Sequence, residues 1–474
     1  MQEQPNIIFV ITDQQRADTI GAAGCDWMIT PTLDRLAEDS VTFTNGFCCG
    51  ATCISSRAAL FTGMHAHNTG VYSFDHWEHH RTWLHELRDA GYYVANVGKM
   101  HHRDAMMAFH ERYIVENKSS TLKYDQWNRF LWQMGLDVPK RHETVEGWPH
   151  KLNAVAWEHD EAWQSDIFTG DMALRFLDRW DQRAPLFLEV GFPGPHEPYD
   201  PPPRFIEMYA DKKPPKRIHA RDELDGKPPP QRQLKEWFAT HHHEHRIDFS
   251  GAEDADIARL RRHYYANITA IDEKLGQLLA ALEAKGMLEN SIIVFTSDHG
   301  DNVGDHDMPY KWFMYDTITR VPFMVRTPKT VGTGRTDTGL ISQIDLGPTL
   351  LELAGVPIPS RLDGQSRRAR VQDGDTSDAP DAVFCEENYV TMIRTQDKKL
   401  VYYAGKPFGE LYDLANDPNE LQNLYDAEQH RPLRDQLERR LFEWHIWSTF
   451  MNGGYKNADK PDYAMRTGNM IGPK

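Results

Sequence analysis

Short apolar runs alternate with longer amphipathic stretches along this chain. Ile7-Ile8-Phe9-Val10-Ile11 is unbroken by any polar residue and stops at Thr12-Asp13-Gln14-Gln15. A run of that length with no alternation reads as a parallel strand buried on both faces, which delivers polar side chains at its carboxyl end. Similar runs occur at Tyr92–Val97, Leu186–Val190, Ser291–Thr296 and, shorter, Pro322–Val325. Helix-period stretches lie between them, the longest from Asp254 to Lys285. Thr30-Pro31-Thr32-Leu33 reads as a helix start, with Thr30 as N-cap and Pro31 in the first turn. Strands alternating with helices predict an α/β fold, a large and mostly parallel sheet sandwiched by helices.

Two stretches break the rhythm. Residues 102–165 are rich in Trp, His and charge, and residues 195–250 carry Pro201-Pro202-Pro203, Pro214-Pro215 and Pro228-Pro229-Pro230. Both read as insertions over one face of the sheet, where lids and specificity loops sit. Residues 364–381, rich in Arg, Asp, Gly and Ser, read as a linker. Val383–Tyr403 beyond it looks like hairpin material, followed by an amphipathic helix from about Ala427 to Trp447. The expected division is a catalytic unit over 1–365 and a smaller C-terminal α+β subdomain with its tail over 380–474. The tail from Phe450 to Lys474 has no helical pattern and could reach a neighbouring subunit, so a homo-oligomer is a further expectation.

Charge narrows the partners. Lys plus Arg number 53 against 70 Asp plus Glu, a net charge of −17. That balance opposes a nucleic-acid partner, which would require a basic face, and a polybasic membrane anchor. No apolar run approaches the ~20 residues of a spanning helix. Any anion-handling site must therefore be a local basic exception. The five cysteines, Cys25, Cys48, Cys49, Cys53 and Cys385, are odd in number and lack a CxxC pair, which argues against a disulfide framework or a zinc ribbon. The first strand begins at Asn6 with no signal-peptide pattern before it. The expected location is cytoplasmic, or periplasmic or secreted if a leader has been removed.

Four clusters of chemically capable residues follow predicted strands: Asp13-Gln14, Gly98-Lys99-Met100-His101, Pro195-His196-Glu197 and Ser297-Asp298-His299. In an open α/β sheet that edge is where ligands bind. Asp13, Gln14, Asp298 and His299 offer oxygen and nitrogen donors for a divalent cation, or alternatively cap loops. A fifth element is Cys53, which opens an apparent helix, Ser56-Arg57-Ala58-Ala59-Leu60-Phe61-Thr62, closed by Gly63. A helix N-terminus favours the thiolate, although a buried, inert thiol is the other reading.

Taken in order, these pieces resemble the sulfatase family, the formylglycine-dependent type I branch of the alkaline phosphatase superfamily. The marker is the Cys-x-Pro-x-Arg type motif, here Cys53-Ile54-Ser55-Ser56-Arg57 leading to Thr62-Gly63. Thr30-Pro31-Thr32-Leu33-Asp34, Gly98-Lys99-x-His101, Tyr264-Tyr265-Ala266, Asp298-His299-Gly300-Asp301, Asp345-Leu346-x-Pro348 and Glu410-Leu411-Tyr412-Asp413-Leu414 continue it.

The resemblance implies an alkaline-phosphatase-like fold and a sulfuric ester hydrolase acting on a small organic or carbohydrate sulfate ester. It implies that a formylglycine-generating maturation enzyme oxidises Cys53, and that the hydrate of the aldehyde attacks sulfur. His101 then takes a proton so that sulfate is expelled. His196 and Lys311 match the positions that bind sulfate and protonate the leaving oxygen, while Lys99 and Arg57 hold the diol. Asp13, Gln14, Asp298 and His299, with the modified Cys53, match the ligands of one divalent metal. Ca²⁺ is expected from the oxygen-rich set, with Mn²⁺ or Zn²⁺ as alternatives suited to the imidazole. The Asp-Gln and Asp-His pairs resemble choline sulfatases and phosphonate monoester hydrolases. Ser55, standing where the motif usually has Pro or Ala, is a departure. The alternatives are therefore a phosphonate monoester or phosphodiester hydrolase on the same site, or an unmatured binding protein of this fold.

The remaining features have two readings each. Trp77-Glu78-His79-His80, His102, Tyr310 and Trp312 line a substrate pocket or pack beneath the insertions. Asp301 and Asp305-His306 bind substrate or cap loops. His241-His242-His243-Glu244-His245 reads as a solvated loop.

Overall fold

The computed structural model describes residues 4–116, 118, 122–241 and 244–451. Its strands are β1 (Asn6–Asp13), β2 (Ser40–Phe47), β3 (Tyr93–Gly98), β4 (Glu111–Ile114), β5 (Leu186–Pro195), β6 (Ser291–Ser297), β7 (Phe323–Arg326), β8 (Arg335–Ser342), β9 (Ala382–Glu387), β10 (Val390–Thr395), β11 (Lys398–Tyr403) and β12 (Gly409–Asp413). Among the described residues, β1–β8 form one sheet in the order β4-β3-β5-β1-β6-β7-β2-β8, and β9–β12 form a second, antiparallel sheet in the order β12-β11-β10-β9. The large sheet is parallel except at β7, which runs antiparallel to both β6 and β2. The expected architecture is therefore the observed one, a large mostly parallel sheet between helices with a small C-terminal α+β part.

β1 occupies the centre, paired on one side with β5 and on the other with β6, so that Val10 faces both Val190 and Phe295. Its apolar residues are wholly buried and divide between two cores. Ile7, Phe9 and Ile11 pack with Trp83, Leu346 and Leu350, whereas Ile8 and Val10 pack with Ala173, Leu275 and Leu278. Period-2 alternation then brings apolar residues to both faces, the physical cause of the unbroken run. The helix Asp254–Ala284 covers one face, and Cys53–Thr62 and Leu346–Leu353 cover the other.

Three expectations are corrected. The supposed linker contains the helix Arg368–Asp373, and its fully buried Arg370 bonds Asp337 and the Leu340 carbonyl. The 102–165 stretch is not only an insertion, because β4 extends the sheet beyond β3. The hairpin material is three successive strands, β9 to β11. The strands β2, β4 and β8 escaped notice because Ser, Thr, Asn, Arg and Glu interrupt their apolar character, as edge and mixed positions permit. The proposed reach of the tail falls on 452–474, outside the described residues. No helix among those described is long and apolar enough to cross a membrane.

Candidate active site

The neighbouring strands β3, β5, β1 and β6 are mutually parallel, so their carboxyl ends open on one edge. Lys99 and His101 follow β3, His196 follows β5, Asp13 and Gln14 end β1, and Asp298 and His299 follow β6. Four sequence segments thus meet at one place, and the Gln14 N–H donates to Asp298 Oδ1 across 284 positions. Backbone closeness helps. A Cβ on Gly98 would sit 2.0 Å from the Gly191 carbonyl oxygen, and Gly98 itself has φ +105°, a combination reserved for glycine. The chain can then turn sharply at the end of β3 and carry Lys99 over the site.

Cys53 is the first residue of the helix Cys53–Thr62, which Gly63 ends in the left-handed conformation with a bond from its N–H to the Ala59 carbonyl. Lys311 Nζ donates to Cys53 Sγ at 3.2 Å and lies 3.3 Å from His299 Nε2. His101 lies near enough to the sulfur to favour its thiolate. Burial raises the thiol, but Lys311, His101 and Lys99 outweigh it and hold Cys53 well below the ordinary thiol range.

Arg57, fully buried one turn along the same helix, ties two walls of the site together. Its Nε donates to Asp298 Oδ2 at 2.8 Å and one terminal nitrogen to the Lys99 carbonyl at 2.6 Å. Lys99 forms an ion pair with Asp13. Burial works against ionisation of Asp13, but Lys99 and further cations hold its carboxyl below the usual carboxylate range. His299 Nδ1 faces the Gly300 carbonyl at 2.8 Å, which turns Nε2 into the site, 3.7 Å from Asp13 and 3.6 Å from Asp298.

Asp13, Cys53, Asp298 and His299 each present a ligand atom within 4.8 Å of the other three. Gln14 joins them in an unusual way. It adopts φ 72°, its Nε2 donates to Glu197 at 2.8 Å and to Asp301 at 2.7 Å, and its Oε1 is buried without a hydrogen-bond partner among the described residues. Asp13 Oδ1 is likewise buried and unbonded. Buried oxygen atoms in that condition cost free energy, and a hard divalent cation is what such a donor set accommodates. The residues present fit the metal.

His196 Nδ1 lies 2.8 Å from the Glu197 carbonyl oxygen. Burial lowers His196, with Glu197 opposing. Lys118 positions this loop from below, donating to the His196 and Pro198 carbonyls at 3.2 and 3.1 Å. A cleft of about 190 Å³ opens beside His101 and Ile54, lined also by Phe74, Trp77, Glu78 and Tyr124.

Several partners were not assigned from the sequence. Glu197 lies in a segment already noted, and it anchors Gln14. His245 belongs to the supposed solvated loop, yet its Nδ1 is 3.0 Å from Glu197 and its ring stands edge-on to His196. A histidine tract gives no sign of which member folds inward. Asp301 accepts from Gln14 and, at 2.6 Å, from Tyr199, while Asp305 bonds Arg16 and Arg261, so both are internal braces. Trp77 is buried and donates from Nε1 to the His101 carbonyl at 2.9 Å, with His102 edge-on against it. Tyr310 is buried, bonded to Asn153 and to the His245 carbonyl. Most distant is Glu387, at the end of β9. It accepts from Ser55 Oγ at 2.7 Å and Thr52 Oγ1 at 2.9 Å, with Ser73 as a third partner. Ser55, the departure from the motif, is thus held by a carboxylate of the small sheet.

The chain is similar to known proteins along nearly its whole length. The family model described as Sulfatase matches residues 5–356, and that described as N-sulphoglucosamine sulphohydrolase, C-terminal, matches residues 304–446. An arylsulfatase of Clostridium perfringens is 28% identical over 479 residues, spanning 93% of this chain and 94% of its own. A choline-sulfatase of Rhizobium meliloti is 29% identical over 468 residues, spanning 93% and 85%. Among solved structures, a phosphonate monoester hydrolase of Agrobacterium radiobacter superposes with a TM-score of 0.81 at 24% identity, covering 94% of this chain and 96% of that one, a likeness of fold.

Proposed function

This chain belongs to the sulfatase family, and from that premise we propose that it hydrolyses a sulfuric ester at the Cys53 centre, with Cys53 oxidised to formylglycine. The observation that carries the reading is the convergence of Asp13, Cys53, Asp298 and His299 within 4.8 Å, with the Lys311 ammonium 3.2 Å from the sulfur.

Formylglycine supplies, as its hydrate, the hydroxyl that attacks sulfur. Asp13, Gln14, Asp298 and His299 would hold one divalent cation, Ca²⁺ by preference, which when bound neutralises charge on the sulfuryl oxygens. The chain's own groups do the rest. Lys311 and Lys99 bracket the nucleophile from two sides with positive charge, so a sulfate monoanion is attracted despite the net charge of −17. Arg57 fixes Asp298 and the Lys99 backbone in one gesture. His101, close enough to Cys53 to favour its thiolate, is the group to take the proton of the second hydroxyl and so release sulfate. His196 and Lys311 are the groups to bind the sulfate and protonate the departing alcohol oxygen, with Lys311 Nζ 3.2 Å from the Cys53 position. The division into a catalytic unit over 1–365 and a smaller unit over 380–474 is part of the proposal, with Glu387 of the latter bracing the nucleophile helix.

The cleft beside His101, about 190 Å³, is smaller than the ~300–1,000 Å³ typical of drug-sized ligands. It suits a small alcohol or a single sugar better than a polymer. The Asp-Gln and Asp-His donor set keeps a phosphonate monoester as a second reading. Mass spectrometry of the peptide containing Cys53 tests the nucleophile, since an unmodified thiol in active protein would sink the proposal. Rates on an aryl sulfate and a phenyl phosphonate ester separate the two readings; sulfate turnover should dominate.

A further inference from the structure

A second group of metal-ligating side chains meets where the C-terminal helix crosses the body of the protein. His67 lies in the short helix Ala66–Thr69, just after the nucleophile helix, Glu386 is in β9, and His445 is on the helix Arg431–Met451. Their ligand atoms all lie within 4.8 Å of one another. His67 Nδ1 is 2.9 Å from a Glu386 carboxylate oxygen, and the His67 and His445 ring centroids are 4.3 Å apart. The side chains of His67 and Glu386 are each 3% exposed, whereas His445 faces solvent. A cation could therefore enter from the His445 side.

The surroundings aim His67 at this point. Its other nitrogen, Nε2, lies 3.1 Å from Ser448 Oγ, which also accepts from Asn68 Nδ2 at 2.9 Å. Trp444 stands edge-on to His65 and His67, with centroids 4.9 and 5.0 Å away, and stacks on Phe384 at 4.1 Å. With Nε2 held by a hydroxyl, Nδ1 is left for the carboxylate and His445, the way outer partners orient a ligating imidazole. Two imidazoles and one carboxylate make the donor set of an open zinc site. Tetrahedral bonds of about 2.0–2.1 Å place donor atoms about 3.3 Å apart, so the His67–Glu386 pair needs to open by only a few tenths of an ångström.

We propose that His67, Glu386 and His445 form a second metal site, independent of catalysis, that takes Zn²⁺ and fastens the C-terminal helix to the body. The cation displaces the proton lying between His67 Nδ1 and Glu386, which passes to solvent. Imidazole donors favour Zn²⁺ over Ca²⁺, so the two centres prefer different ions. The helix has reason to need a fastening. Along its 21 residues only Leu437, Leu441 and Ser448 are buried.

The test uses full-length, tag-free protein stripped by chelator and equilibrated with Zn²⁺, in an Asp298→Asn background that weakens the Cys53 centre. Metal content by mass spectrometry should fall by one equivalent per chain when His445→Ala is added, and a Zn²⁺-dependent rise in melting temperature should vanish with it. X-ray absorption on the Asp298→Asn protein should report two imidazole nitrogens and a carboxylate oxygen at about 2.0–2.1 Å. The single variant His445→Ala should keep wild-type turnover. Equal Zn²⁺ stoichiometry and affinity with and without His445→Ala, or a Zn²⁺ shell that His445→Ala leaves unchanged, overturns the proposal.

Discussion

Glu387→Gln isolates the carboxylate behind the nucleophile helix. Burial raises Glu387 from 4.5 to about 7, against the pull of hydrogen bonds from Ser55, Ser73 and Thr52. A group that binds its proton more tightly folded than unfolded contributes stability below its unfolded pKa, and that contribution is lost as the pH rises through the folded value. The linkage relation for 4.5 and about 7 gives a penalty of about 1 kcal/mol at pH 5 and about 3 kcal/mol at pH 8. The loss between those pH values is therefore about 2 kcal/mol. Glutamine carries no charge, and its oxygen can still accept from the hydroxyls while its amide hydrogens find their lone pairs. The variant should thus escape the loss, gaining about 2 kcal/mol on wild type between pH 5 and pH 8. Urea unfolding of both proteins at the two pH values reads the difference, provided tryptophan fluorescence and circular dichroism give coincident transitions. A relative change below about 1 kcal/mol, or one of opposite sign, refutes the reasoning.

Two further substitutions bear on the site. Arg57→Ala leaves the buried carboxylate of Asp298 uncompensated, so stability should fall by about 3–5 kcal/mol and turnover should be lost. Arg57→Lys should not restore it, because one ammonium cannot reach both Asp298 and the Lys99 carbonyl in the way a planar fork does; thermal melts and initial rates decide. Trp77→Phe removes the Nε1–H bond to the His101 carbonyl, worth about 1 kcal/mol net. It should lower kcat several-fold while leaving the melting temperature within a few degrees, and an unchanged kcat would show that His101 needs no such support.

Much of this was legible in the chain because buried parallel strands write themselves as unbroken apolar runs. β1, β3, β5 and β6 were visible for that reason, and the rule that ligands gather at their carboxyl ends placed Asp13, Lys99, His196 and Asp298 together before any coordinates. Cys53 was marked by its place at the head of a helix, whereas Lys311 follows no such strand and only the resemblance to the sulfatases drew it in. What stayed hidden was contact without periodicity. β2 and β8 contain too many hydroxyl and charged residues to look like strands, Arg370 sits in a stretch composed like a linker, and His245 is one of several histidines in a row. Glu387 is hidden for another reason: nothing near residue 387 speaks of residue 55.

That distance has a consequence in time. Ser55 and Glu387 are 332 positions apart, and the first turn of the Cys53 helix is not braced until the small sheet exists. At synthesis rates of about 5–20 residues per second, roughly 17 to 66 seconds pass between the emergence of the two ends of that bond. Throughout that interval the sulfur is carried on a segment still missing one of its props. In the folded chain Cys53 is 4% exposed. On the proposed oxidation of Cys53 to formylglycine, the arrival of the C-terminal sheet would set the deadline for that conversion.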